Sequence, residues 1–145
     1  MKKGIISIIL ILSIANCGLL ERFDNKYANY SEAVKSQSWK GGWLPDLLPK
    51  DAINIFESHY IDRSSVIVAF EFAEDFKTIL NNKCKKTDGY HIKFADMKAS
   101  WWPNSLTGEA FGSSHEYYYY ECSDNGVAYF AVPFGQQKAY FWRTS

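Results

Sequence analysis

The last thirty residues constrain this chain most, because two turn signals there, Asp124-Asn125-Gly126 and Gly135-Gln136, separate three apolar runs rich in aromatic side chains. Short runs punctuated in this way pair as antiparallel strands, and the turn chemistry limits how they align. A two-residue loop at Asn125-Gly126 sets Cys122 opposite Tyr129 and Tyr120 opposite Ala131. A three-residue loop, with Gly126 left-handed in a bulge, sets Cys122 opposite Ala128, Tyr120 opposite Phe130 and Tyr118 opposite Val132. The second alignment gathers the more apolar set on one face, and a buried face is what specifies register. A two-residue turn at Gly135-Gln136 then adds Ala139 opposite Val132 and Phe141 opposite Phe130. The predicted inner face is Tyr118, Tyr120, Cys122, Ala128, Phe130, Val132, Ala139 and Phe141. The outer face carries Tyr117, Tyr119, Tyr129, Tyr140 and Trp142.

Upstream, residues 53–60 and 66–72 are extended runs joined by Ile61-Asp62-Arg63-Ser64-Ser65, the grammar of a hairpin. Val66, Val68, Phe70 and Phe72 share one face by the period of two, so that face looks inward. A helix is predicted from Ala73, with Glu74 and Asp75 in its first turn and a stripe of Phe76, Ile79, Leu80 and Cys84 to pack on the sheet. A looser helical spacing over residues 27–39 predicts a second, N-terminal helix. After it, the two glycines and two prolines of residues 41–49 break any regular structure. Residues 85–114 form a long connection around one strand candidate, residues 90–94, and the pair Trp101-Trp102. The expectation is an α+β domain over residues 27–145, an antiparallel sheet of about five strands packed against one main helix, with the N-terminal helix after the anchor. An aromatic share of 17% suits a β-rich body.

The start of the chain reads as an address. Lys2 and Lys3 precede an apolar stretch, residues 5–15, that is too short to span a bilayer comfortably. Ile14-Ala15-Asn16-Cys17 resembles the lipobox of bacterial lipoproteins, with Asn16 standing where Gly, Ala or Ser is usual. The resemblance implies removal of residues 1–16 as a signal peptide, a lipid (palmitate among its acyl chains) on Cys17 and a tether over residues 17–26. An ordinary cleaved signal with a coincidental cysteine is the competing reading. Gly18 replaces the Asp that holds such lipoproteins at the inner membrane, which implies the outer membrane. With Lys2 and Lys3 gone, 14 of the 16 basic residues face 16 acidic ones, a net charge of about −2. Nothing in that balance draws the chain to nucleic acid or to an anionic membrane surface.

With Cys17 lipidated, Cys84 and Cys122 are an even pair in an oxidising compartment. Cys84 closes the helical stripe and Cys122 lies on the inner sheet face, so a disulfide between them is expected.

Gly42-Trp43-Leu44-Pro45, Leu48-Pro49, Ala52, Ile55 and Asp62 resemble a pattern of small uncharacterised bacterial lipoproteins and membrane-anchored proteins. The resemblance covers about a sixth of the chain. It implies kinship and names no activity.

Chemistry is sparse at this level. His59, His91 and His115 are scattered, and only Glu57 with His59 shares a strand face at close spacing; two ligands do not make a metal site. Gly108 to Ser114 lacks the lysine of a phosphate loop, Ser113, Ser114 and His115 are merely adjacent, and the carboxylates Glu71, Glu74 and Asp75 are typical of a helix start. No catalytic residue, metal or cofactor is assigned. The outer face of Tyr117, Tyr119, Tyr129, Tyr140 and Trp142 suggests an interaction module for an envelope protein partner, since binding surfaces favour Tyr and Trp. The same five side chains would serve equally as cross-strand packing or lie under the Trp101-Trp102 loop. The alternative function is an envelope enzyme with a site at residues 85–114 and His91 or His115.

Overall fold

A computed structural model describes residues 21–73, 75–108 and 116–144. Seven strands form one antiparallel sheet: β1 (Arg22–Asn29), β2 (Ile53–Tyr60), β3 (Val66–Glu71), β4 (Lys85–Thr87), β5 (Tyr117–Ser123), β6 (Val127–Pro133) and β7 (Lys138–Arg143). Their order across the sheet is β1-β2-β3-β7-β6-β5-β4. The N-terminal strands are thereby joined to the C-terminal meander through the central β3–β7 pair.

The C-terminal register is the one that hydrophobicity selects. Cys122 faces Ala128, Tyr120 faces Phe130, Tyr118 faces Val132 and Phe130 faces Phe141. Asn125 and Gly126 both take positive φ, 49° and 117°, which lets three residues turn the chain between Ser123 and Val127. The hairpin of β2 and β3 forms as expected, with one irregularity between Ile53 and Phe56. Asn54, at φ 49°, absorbs it, since Asn tolerates the left-handed region better than most residues. Ile53 is consequently exposed and Ile55 buried.

The expected balance of sheet and helix is overturned: the sheet has seven strands and no main helix dominates it. The predicted N-terminal helix, residues 27–39, is broken up: residues 27–29 end a strand, and two short helical turns with the link between them make up the rest. Residues 22–29 pair with β2, taking in part of the stretch assigned to the tether, and only two single turns follow, α1 (Tyr30–Ala33) and α2 (Gln37–Lys40). Pairing with β2 gives this segment a ladder over seven register pairs, whereas isolated helices this short are marginal. Asn29 and Ser36 cap the two turns, accepting hydrogen bonds from the backbone N–H of Glu32 and Trp39. The expected helix at residue 73 exists as α3 (Phe76–Lys83), eight residues with Asp75 as N-cap. Phe76 and Leu80 are buried, but Ile79 of the predicted stripe is exposed. Residues 90–94 are not a strand; the edge strand is β4, residues 85–87, beside β5.

Both faces of the sheet are cores. One holds Val66, Val68, Phe70, Phe130 and Phe141 under α1, α2, the Leu44–Ala52 corner and α3. The other holds Ile67, Ala69, Tyr119, Tyr129, Tyr140 and Trp142 under the connection that follows β4, which contributes Ala95, Met97, Trp102 and Leu106. Cys84 and Cys122 form a disulfide with their Cα atoms 4.6 Å apart. The bridge sits where α3 runs into β4, so it ties the helix end to the neighbouring strand β5.

Candidate functional site

The outer aromatic face is the wrong place for a binding surface. Tyr119, Tyr129 and Tyr140 are buried, Trp142 is fully buried, and Tyr117 is half-buried. Trp102 packs edge-on against Tyr140 and Trp142, and the Trp142 indole N–H donates to the Lys93 carbonyl at 2.8 Å. An apolar sheet face of this size is more stable covered, and the long connection is what covers it. The alternative site in that connection does not assemble among the described residues. His91 is exposed and bonded to Asp88 at 2.7 Å, while His115, Ser113 and Ser114 lie outside the described residues, as do Cys17 and Glu74.

The polar residues that do converge lie on the opposite face, at the end of the sheet where β1 starts. Asn25, Glu57 and His59 share that face because Asn25 pairs with Glu57 and Phe23 with His59. Glu57 is 0% exposed. One of its oxygens accepts from His59 Nδ1 at 2.5 Å; the other accepts from Ser38 Oγ at 2.7 Å and Asn25 Nδ2 at 2.8 Å. Tyr27 adds its hydroxyl to Ser38 at 2.9 Å. A buried carboxylate is tolerated when its oxygens are hydrogen-bonded, and here both oxygens are, by three donors. The carboxylate fixes the His59 tautomer with hydrogen on Nδ1. Nε2 has no hydrogen-bond partner among the described residues, and the 7% of the side chain left exposed gives it access to water. Two rings flank the imidazole in nearly parallel planes, Trp43 with its centroid at 4.1 Å and Phe23 at 5.2 Å.

Trp43 connects this network to a second one. Gly41 must be small, because a Cβ there would meet the Trp43 ring at 2.9 Å. Gly42 adopts φ 71°, which turns its carbonyl toward the Arg143 guanidinium. Arg143 also donates to the carboxylate of Asp124 at 3.1 Å and to its backbone carbonyl at 3.2 Å. Asp124 in turn accepts from the Asp46 backbone N–H at 2.8 Å. Burial raises the Asp124 carboxyl above its ordinary value and lowers the Arg143 guanidinium below its own. The pair therefore pins the Gly42 corner to both the β5–β6 turn and the end of β7.

Beside this pair opens a cleft of about 400 Å³ lined by Lys40, Gly41, Gly42, Trp43, Ser64, Asn125 and Arg143. Its side chains comprise two cations, a hydroxyl, an amide and one aromatic ring, with no carboxylate. Three of the N–H bonds of Arg143 are engaged by Asp124 and Gly42. Such a lining offers donors to an anion.

The sequence pattern is now legible as geometry. Gly42 and Trp43 line the cleft, Leu44, Leu48, Ala52 and Ile55 are buried in the core of the same sheet face, and Asp62 is exposed on the β2–β3 turn. Residues 21–71 match the family model of the YbbD head domain. This is an uncharacterised bacterial family, and the match covers about a third of the chain, from the start of β1 to the end of β3. The matched segment supplies Lys40, Gly41, Gly42, Trp43 and Ser64 to the cleft, and the remainder of the chain supplies Asn125 and Arg143. No curated protein and no solved structure matches the chain. The pairing of Glu57 with His59 was visible in sequence as strand spacing. Arg143 and Lys40 were not, since the first is 101 residues from its Gly42 partner. Among the described residues, no helix is long and apolar enough to cross a membrane.

Proposed function

We propose that this chain is a lipid-anchored binding module of the cell envelope, held at the outer membrane through Cys17, whose ligand carries an anionic group that enters the cleft at Gly42 and Trp43. The lining of that cleft carries the reading. Lys40 and Arg143 give it positive charge, Ser64 and Asn125 each offer a donor, and the half-buried Trp43 ring gives the ligand an apolar wall. The Glu57-His59 network acts as support. It holds the Trp43 ring through the imidazole stack, and its second carboxylate oxygen is already occupied.

The anchor is tested by Cys17→Ala, which should abolish labelling by a fatty-acid analogue; undiminished labelling would exclude it. The cleft is tested by nuclear magnetic resonance titration of the protein with inorganic phosphate, galacturonate and neutral galactose. The two anions should shift the amide signals of residues 40–43, 64 and 125, and Lys40→Glu should remove the effect. Equal shifts with galactose, or none with either anion, would refute the anionic ligand.

A further inference from the structure

We infer that the end of the sheet bearing this cleft is the membrane-facing end, and that its ligand is the headgroup of an anionic phospholipid in the membrane that holds the anchor. The inference rests on the proposed lipidation of Cys17 and extends it to orientation. The decisive point is where the chain enters the fold. The backbone carbonyl of Glu21 accepts from the N–H of Ile61 at 3.2 Å, so the domain is already in place four residues after Cys17. Four residues reach at most about 14 Å when fully extended. A tether that short leaves the entry point close to the bilayer surface and allows little choice of face.

The sheet register identifies what shares that end. Arg22 of β1 pairs with Tyr60 at the end of β2, Val66 at the start of β3 pairs with Arg143 near the end of β7, and Ser123 pairs with Val127 across the β5–β6 turn. The β2–β3 turn, the β5–β6 turn and the Gly42 corner therefore project together. Ile61 is 54% exposed and Val127 59% exposed, and Phe23 is exposed on β1. Arg63 is exposed on the β2–β3 turn next to Asp62, Lys40 is exposed on the rim of the cleft, and exposed Glu21 lies at the same end. Apolar residues also protrude at the far end, at Ile53 and Phe134. What the near end adds is the short tether and the donor-lined cleft. Exposed apolar side chains that enter the interface, with cations that meet anionic headgroups, are the usual elements of peripheral membrane contact.

The test uses the full chain, processed in a bacterial host, purified with its lipid and reconstituted into vesicles of phosphatidylcholine alone or with phosphatidylglycerol. Benzoylphenylalanine replaces either Ile61 or Phe134, and light-induced attachment to phospholipid is measured by mass spectrometry. Position 61 should label lipid several-fold more than position 134, and more with phosphatidylglycerol than without. Lys40→Glu combined with Arg63→Glu, both exposed and remote from the core, should reduce labelling at 61 to the phosphatidylcholine level. Protein that carries no lipid and fails to float with vesicles refutes the anchor and the orientation with it. Lipid-bearing protein that labels equally at 61 and 134 overturns the orientation alone. Labelling at 61 that ignores both phosphatidylglycerol and the charge reversals overturns the headgroup assignment.

Discussion

Glu57 is the residue whose replacement tests the structure most sharply. Its carboxylate is fully buried and accepts three hydrogen bonds, from His59, Ser38 and Asn25. Glu57→Ala removes the acceptor of these three bonds, leaves Asn25 only its longer bond to Ser38, and opens a void beside His59 and Ser38. Each orphaned donor costs about 1 to 3 kcal/mol where water cannot reach it, and half-buried Asn25 and the exposed edge of His59 recover part of this. A net loss of about 3 to 5 kcal/mol is expected, comparable to breaking a buried ion pair from one side. Against a domain stability of about 5 to 15 kcal/mol, that is a large fraction. Glu57→Gln conserves volume. Its carbonyl can still accept from Ser38 and Asn25, and its amide can donate to His59 Nδ1 once the imidazole changes tautomer. The expected cost is about 1 to 2 kcal/mol. Urea unfolding of both variants under non-reducing conditions, followed by circular dichroism, gives the two values directly. A loss below about 1 kcal/mol for Glu57→Ala, or equal losses for Ala and Gln, would refute the hydrogen-bonded network as the organising element of this face.

Three further outcomes follow from the structure. Trp142→Ala should cost about 3 to 5 kcal/mol, as expected of a core aromatic; a loss within the 0.2 to 1 kcal/mol range of exposed cross-strand pairs would restore that face as a surface. Removing the bridge with Cys84→Ala and Cys122→Ala together should cost at most about 4 kcal/mol for a separation of 38 residues, and mass spectrometry that finds two free thiols in the native protein would contradict it. Stability should fall in acid. The Asp75 carboxyl is held below its ordinary value by hydrogen bonds from Thr78, and that of Asp24 by hydrogen bonds from Arg22 and Ser58 that outweigh burial. A depressed native value means stabilisation that is complete above the unfolded value near 3.9 and lost as the pH falls through the native one. Asp124, raised by burial, has the opposite sign, its contribution fading as the pH rises. Hydrogen exchange of residues 76–80 between pH 2.5 and 6 should show α3 opening at the acid end in the wild type, and at every pH in Asp75→Ala. Exchange that does not change with pH in the wild type would exclude the cap as its cause.

Local patterns alone determined a good deal. Turn residues and the period of two specify the β5–β6–β7 meander and its register, because a slip of one residue would turn Phe130 and Phe141 from one face to the other. The same reasoning identified the β2–β3 hairpin, and cysteine parity identified the Cys84–Cys122 bridge. What failed were segments whose state depends on a distant partner. Residues 22–29 become a strand because β2 offers an edge, a fact that no spacing within them records. The aromatic face is core because a connection of weak periodicity folds over it, and period two cannot tell a covered outer face from an open one. The cleft depends most on tertiary structure. Gly42 and Arg143 are 101 residues apart and meet only because β3 pairs with β7 in the middle of the sheet. Sequence periodicity reports which side of an element is apolar. Which elements become neighbours, and hence which polar groups converge, is decided by burial of the two sheet faces together, a property of the whole chain.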